Sequence, residues 1–168
     1  MTARASSFRT RREFRDADGV LLVLREPPAA AAPAPGQPPT VPANPAEGPE
    51  VLLAFADDGR VVALGGHVDL GTGLQTAYAQ LVAEELDLPL ERVTVILGDT
   101  ARAPNQGPTI ASASIQIHAM PLRQAAAQAR AWLRDAAATP ARPMAAALRS
   151  LRSSQAGMSS WCSISTRH

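Results

Sequence analysis

Residues 65–99 read GGHVDLGTGLQTAYAQLVAEELDLPLERVTVILGD, and this stretch decides the fold. Gly71-Thr72-Gly73 marks a turn. Leu74, Ala77, Tyr78, Leu81, Val82 and Leu86 then recur at helical spacing, which predicts a helix with one buried face. Pro89 breaks the pattern. Residues 92–97 follow, with Val93, Val95 and Leu97 on one side and Thr94 and Ile96 on the other. That alternation is strand spacing, with β-branched residues on both faces. The run closes on Gly98-Asp99-Thr100. A glycine turn opening a helix is what a backbone cradle for a polyanionic or polar cofactor needs. Glycine lets the chain pass close to a ligand, and a helix start offers N–H groups and a positive dipole end. Glu84, Glu85 and Asp87 fall in the helix's last turn, against the dipole preference. Any compensation for them must come from tertiary contacts.

Outward from this segment, 51–56 and 60–64 are short apolar runs separated by Asp57-Asp58-Gly59, a hairpin signal. Downstream, 104–114 (PNQGPTIASAS) is a second small, polar, Gly/Pro-marked loop that leads into a helical segment over about 114–138. Two such loops, each before a helix, can converge on one ligand. Pro121 lies inside the second helical segment, so the helix starts or kinks there. The order hairpin, helix, strand, helix gives an α+β, or mixed α/β, fold.

The flanks differ in character. Residues 1–26 are an N-terminal segment whose GVLLVL run (19–24) reads as a short strand behind a basic start. Residues 27–49 hold nine prolines in 23 positions, a composition suited to an extended linker or arm. The compact part is 50–138. Beyond Thr139 the chain has no acidic residue, carries seven serines between Ser150 and Ser165, and lacks sustained periodicity. The abrupt change at about residue 138 suggests a truncated product with a tail read in a shifted frame, or else an ordinary disordered C-terminus.

Composition closes off several classes. The net charge is +1 over 168 residues, which gives no electrostatic case for nucleic acid. Every basic residue of the Lys/Arg type is Arg. The single Cys162 excludes an internal disulfide, and the scattered His67, His118 and His168 make a protein metal site unexpected. No apolar run approaches the ~20 residues that span a membrane. Arg11-Arg12-Glu13-Phe14 is reminiscent of an export signal, but only five apolar residues (20–24) follow, short of the ~7–15 that such a signal uses. A cytoplasmic location is expected, with the periplasm as the alternative.

Residues 61–134 resemble the large, molybdenum-cofactor-binding subunit of the xanthine dehydrogenase and aldehyde oxidase family, and most of all its bacterial nicotinate and isoquinoline dehydrogenase type. That family carries a loop G-x-x-[DE]-[LM]-G-x-G, matched here by Gly66-His67-Val68-Asp69-Leu70-Gly71-Thr72-Gly73. A helix of the form A-Q-[LIV]-[VA]-A-E-E-L follows, matched by 79–86, and then a strand ending in G-D-T at Gly98-Asp99-Thr100. The second loop, often G-G-T-x-G-S-R-[ST] in the family, is matched by 107–114. The match is ordered and gap-free over less than half the chain.

The resemblance implies that Gly71, Thr72, Gly73, Gly107, Thr109, Ser112 and Ser114 contact a molybdenum cofactor, molybdopterin or its cytosine dinucleotide form. Thr72 stands where many members have Gln, which puts a direct side-chain contact with the metal centre in doubt. Pro108 and Ala111 replace glycines, and Ala113 replaces an Arg, which weakens the case for binding phosphate. The resemblance further implies an oxidoreductase that hydroxylates N-heterocycles or aldehydes with oxygen from water. Its electrons would pass to a [2Fe-2S] small subunit and then to a flavin or cytochrome component. The family's catalytic Glu lies near the far C-terminal end of the subunit, so this chain is expected to be a fragment, inactive alone, with no catalytic residue of its own. The alternative is a small non-enzymatic binding or interaction module that reuses this piece of fold.

Read from the residues alone, Gly71-Thr72-Gly73 is equally a helix-capping turn, and Ser112 or Ser114 a helix cap. His67 reads as a strand-end residue with a satisfied hydrogen bond, and Asp69 and Asp99 as turn acids. Glu84 and Glu85 point apart on a helix, and Gln124, Gln128 and Arg130 read as a solvated face.

Overall fold

The computed structural model describes residues 8–16, 21–25, 50–56, 58–138 and 163–166. The proline-rich segment, nearly all of the tail, Cys162 and His168 lie outside the described residues. Three helices, α1 (Arg11–Asp16), α2 (Leu74–Leu86) and α3 (Ala119–Ala138), surround one sheet. Its strands are β1 (Leu21–Arg25), β2 (Glu50–Phe55), β3 (Val61–Gly65), β4 (Val93–Leu97) and β5 (Ser163–Thr166), in the spatial order β4-β3-β2-β1-β5.

The Asp58-Gly59 turn joins β2 and β3 as an antiparallel hairpin, and the Arg60 amide donates back to the Asp58 carboxylate at 3.0 Å. β3, α2 and β4 form a β-α-β unit in which β3 and β4 run parallel. The α+β expectation therefore holds, and the mixed sheet comes from one parallel pair among antiparallel ones.

The alternation read in β4 continues across the sheet. Val61, Ala63, Val93 and Val95 face α2 and α3, where Tyr78, Val82 and Leu122 complete the larger core. Val62 and Leu64 face the other side, with Phe14 of α1 and Leu22, Leu24 and Ala54. β3 is buried on both faces, so its sequence VVALG is apolar throughout. Leu52 breaks the alternation in β2. The register of β1 skips it, pairing Val23 with Leu53 and Leu24 with Val51, so Leu52 is a bulge residue that turns toward the same core as Leu53.

Two parts of the molecule extend beyond the boundaries drawn from sequence. β1, from the N-terminal segment, pairs along β2, and Val23 and Phe14 are fully buried. β1, read within the 1–26 segment, and β2, read within 50–138, therefore lie in one sheet. β5, from the stretch set aside as irregular tail, pairs antiparallel with β1 at the sheet edge. β1 is the short strand read at 19–24, but its pairing with β2, and β5 itself, are not visible as periodicity over so short a run.

α1 begins at Thr10, whose Oγ1 accepts from the Glu13 amide at 3.2 Å, while the Glu13 carboxylate accepts from the Arg9 amide at 2.7 Å. α3 buries Ala119, Leu122, Ala125, Ala126, Ala129 and Trp132, a mostly small-residue stripe against α2. Pro121 falls in the first turn of α3 as bounded, inside the helical segment as the sequence placed it. Ahead of it Ser114–His118 winds as a π turn, so the helical path starts at Ser114 and passes through the proline. The acidic end of α2 is compensated from α3: Arg123 pairs with Glu85, and Arg130 with Asp87 at 2.8 Å. Arg130 is thus an ion-pair partner, whereas Gln124 and Gln128 are exposed as expected.

Candidate cofactor site

The glycine loop is organised by a single carboxylate. Asp69 Oδ1 accepts from the backbone N–H of Gly71 at 3.0 Å and of Thr72 at 2.9 Å, and from the Thr72 hydroxyl at 3.3 Å. Its Oδ2 accepts from the Gln75 N–H at 3.0 Å, in the first turn of α2. These bonds, led by the one from Gln75, hold the Asp69 carboxyl below the usual carboxylate range. The loop amides that sequence reasoning offered to an external anion are therefore taken by the loop's own acid. Gly73 stands at the N-cap with φ 75 and contributes no side-chain bond, so Asp69 does the capping from outside the helix. Gly71 and Gly73 are needed for their positive φ, 87 and 75; nothing lies within 4 Å of where a Cβ would stand on either.

The close approach is one turn earlier. A Cβ on Gly66 would collide with the Pro104 carbonyl oxygen and stand 2.9 Å from the Gln106 amide nitrogen. There the second loop crosses the first and is fastened to it. The Gly66 N–H donates to Gln106 Oε1 at 2.8 Å, and Gln106 Nε2 reaches the His118 carbonyl at 3.4 Å. The Val68 N–H donates to Thr109 Oγ1 at 3.0 Å, and His67 Nδ1 lies 3.3 Å from the same hydroxyl. Tyr78, fully buried on α2, donates its hydroxyl to the Ser114 carbonyl at 3.0 Å, and burial pushes its pKa up to about 12. Gln106 and Tyr78 were not singled out in the sequence. The available signals were a Gln inside a Gly/Pro loop and the only Tyr in the chain, set on a buried helical stripe.

The loops thus meet at one cleft of about 440 Å³. Thr72, Thr109, Ser112 and Ser114 line it, so four of the seven predicted contact residues share one surface. Gly71, Gly73 and Gly107 shape the loops without lining it. The Thr109 hydroxyl is engaged in fastening the loops. Ser112 and Ser114 are not helix caps: Ala113 holds the cap position of the π turn, with no side-chain cap bond. Ala111 and Ser112 both have positive φ, 55 and 52. Ala111 stands where the resembling family has Gly, and the backbone shows the reason, because that position is left-handed.

His67 meets the expected hydrogen bond at one ring nitrogen only, Nδ1 with Thr109. It is only 1% exposed, its ring packs tilted against that of His118 with centroids 4.1 Å apart, and its Nε2 is buried with no hydrogen-bond partner among the described residues. Burial first, and His118 second, lower its pKa from the ordinary 6.5, so it is neutral at pH 7. Asp99, by contrast, is a turn acid as read. It accepts from the Ala101 and Arg102 amides and pairs with the Arg102 guanidinium at 2.6 Å. No group of metal-ligating side chains exists among the described residues, and no helix among them is long and apolar enough to cross a membrane.

A mixed sheet carrying two fastened loops, each leading into a helix, around a mostly apolar cleft with four hydroxyl side chains defines a piece of an α+β domain. Comparison with known proteins fixes its family. The Molybdopterin cofactor-binding domain family matches residues 29–164, and this chain belongs to it. The cofactor of this family is the molybdenum cofactor.

The chain is 53% identical over 122 residues to a nicotinate dehydrogenase subunit of Pseudomonas putida, covering 71% of this chain and 10% of that protein. It is 35% identical over 60 residues to a probable xanthine dehydrogenase subunit of Bacillus subtilis, covering 36% of this chain and 8% of that one. To the carbon monoxide dehydrogenase large chain of Hydrogenophaga pseudoflava it is 38% identical over 80 residues, 48% of this chain and 10% of that one. The chain therefore spans about a tenth of the length of these relatives, which are themselves named as subunits or chains of larger enzymes.

Proposed function

We propose that this chain forms one wall of the cofactor site in the molybdopterin-binding subunit of a molybdenum hydroxylase, and that it does not turn over alone. The observation that carries this reading is the convergence of two loops, fastened by Gln106 and Thr109, on one cleft in a chain of this family. The residues fit part of the cofactor. Thr72, Ser112 and Ser114 offer hydroxyls of the kind that hydrogen-bond a pterin's ring nitrogens and oxygens. The cleft lining contains no Arg, Lys or His, so charge for the phosphate end must come from elsewhere.

When bound, the cofactor supplies the redox chemistry of hydroxylation, in which substrate C–H and water become C–OH with loss of two protons and two electrons. This chain's residues bind and orient. No carboxylate or other base lines the cleft, and a general base must stand within hydrogen-bond reach of the reacting centre. An N-heterocycle is the favoured substrate class, because the 53% identical relative is a nicotinate dehydrogenase. A [2Fe-2S] subunit and a flavin or cytochrome component would take the electrons. A cytoplasmic location, with the periplasm as the alternative, belongs to the same proposal.

The test incubates the purified chain with molybdenum cofactor, nicotinate and a dye acceptor. The expected result is weak cofactor binding, read by absorbance and lost in Ser112→Trp, with no protein-dependent dye reduction. Steady dye reduction that disappears in Ser112→Trp would show the chain to be a catalyst in its own right and overturn the reading.

A further inference from the structure

Two hydroxyls of the cleft have neighbours that decide which way their protons point. A threonine hydroxyl has one proton to donate and two lone pairs that accept. Thr109 Oγ1 accepts the Val68 N–H at 3.0 Å, which fills one lone pair. His67 Nδ1 stands 3.3 Å from the same oxygen, and this contact has two forms. In the first, the Thr109 O–H donates to a bare Nδ1. The ring, neutral at pH 7, then carries its one proton on Nε2. In the second, Nδ1–H donates to the remaining lone pair, Nε2 is bare, and the Thr109 proton is left for the cleft.

The surroundings of His67 separate the two forms. Nε2 is buried with no hydrogen-bond partner among the described residues, on a side chain 1% exposed and packed against His118. The first form therefore buries an N–H donor without an acceptor, whereas the second leaves only a bare lone pair. Orphaned buried N–H groups are rare in folded proteins, and unfilled acceptors less so. Thr72 is the opposite case. Its hydroxyl donates at 3.3 Å to Asp69 Oδ1, a carboxylate that only accepts, so its lone pairs are left for the cleft. Both threonines line that cleft.

We propose that His67 and Asp69 are positioning residues that give the cleft a fixed polarity: His67, as the Nδ1–H tautomer, makes Thr109 a donor, and Asp69 makes Thr72 an acceptor. The matching ligand edge carries a carbonyl oxygen or bare ring nitrogen toward Thr109 and an N–H toward Thr72. No charged residue lines the cleft, and Val68, Leu70, Ile110 and Ile115 supply apolar wall, so that edge is neutral and borne on a ring that packs against hydrocarbon. The identity of the ligand rests on the reading of the chain as one wall of a cofactor site; the tautomer does not.

The first measurement uses the whole chain without ligand. Histidine is labelled with heavy nitrogen, and the ring-nitrogen chemical shifts at pH 7 report which nitrogen is protonated. The chain has three histidines, and His118→Asn and His168→Asn each remove one set of signals, which leaves that of His67. The expected result is a protonated Nδ1 and a bare Nε2. Any other protonation state of His67 overturns the proposal.

The second measurement is binding of molybdenum cofactor, read by absorbance. His67→Asn keeps a side-chain N–H for Thr109, whereas His67→Asp offers only acceptors and draws the Thr109 proton off the ligand. Affinity should stay within about twofold in His67→Asn and fall about tenfold in His67→Asp, the worth of one ligand hydrogen bond. Equal weakening in two variants that both fold, as read by circular dichroism, overturns the proposal. If His67→Asp does not fold, the ring-nitrogen shifts decide alone. The two readings fail separately. Protonated Nδ1 in a chain that binds no cofactor sinks the cofactor reading alone, and cofactor binding with Nε2 protonated sinks the fixed polarity alone.

Discussion

At the scale of single residues, two side chains govern how the site responds to acid. His67 is held neutral by burial and by His118, so its pKa is lowered. A histidine depressed in the fold contributes stability above its unfolded value of 6.5, and that stability is lost as pH falls through the folded value, because the unfolded chain binds the proton first. Asp69 is likewise depressed, by the amides of Gln75, Thr72 and Gly71, so its contribution is full above 3.8 and is lost below it. Asp99 behaves similarly: burial pushes its carboxyl up, but the bonds from Arg102 and Ala101 outweigh this. Urea unfolding from pH 8 to pH 3 should therefore weaken in two stages. His67→Gln should flatten the stage that begins near 6.5, and Asp69→Asn should reduce the one near 4. Unchanged profiles in both variants would show that neither group is linked to folding.

A second residue prediction concerns Ala111. Its φ of 55 costs an L-residue roughly 1–2 kcal/mol that glycine does not incur, less the extra entropy glycine loses on folding. Ala111→Gly should stabilise the protein by about 1 kcal/mol in denaturant melts. A destabilised variant would mean that the left-handed backbone there is not strained.

At the scale of elements, the α2–α3 pair shows which interactions hold the fold. Arg130–Asp87 and Arg123–Glu85 lie on the surface and answer the misplaced acids at the end of α2. Exposed pairs of this kind are worth about 0–1 kcal/mol and weaken in salt. Leu122, 1% exposed, sits between α3 and the sheet core. Leu122→Ala should cost about 2–5 kcal/mol, through lost burial and the cavity left behind, whereas Arg130→Ala should cost less than about 1 kcal/mol. Chemical denaturation of both variants, at low and high salt, gives the comparison; a larger loss in Arg130→Ala would reverse the ranking. Much of this level was legible in the sequence. Leu74, Tyr78, Val82 and Leu86 announced α2 and its buried face, and Val93 and Val95 announced β4. The ion pairs were not legible, because Arg123 and Arg130 meet their partners across 38 and 43 residues of chain.

At the scale of the whole molecule, the sheet joins segments that composition separates. β1 and β5 pair with each other, and β1 with β2, across the proline-rich stretch. A protease site introduced after Ala34 should therefore yield a nicked protein whose N-terminal piece stays bound in gel filtration and separates only in denaturant. Separation under native conditions would show that β1 adds little, in spite of the burial of Phe14 and Val23.

What the sequence determined by itself was the local material: a glycine turn before an amphipathic helix, a β-branched strand, a small polar loop before a second helix, and enough ordered motif to name the family. These are properties of neighbours along the chain, set by backbone preference and by hydrophobic period, and they need no distant partner. Tertiary structure alone decided how the loops are used. Asp69 fills the amide cradle that glycine spacing had suggested for a ligand, and Gly66, rather than Gly71 or Gly73, is where backbone meets backbone. Gln106, Thr109 and Tyr78 fasten loops 36 to 42 residues apart. The reason is that a hydrogen bond's partner is chosen by position in space, and position across such separations is fixed only when the two faces of the sheet have packed.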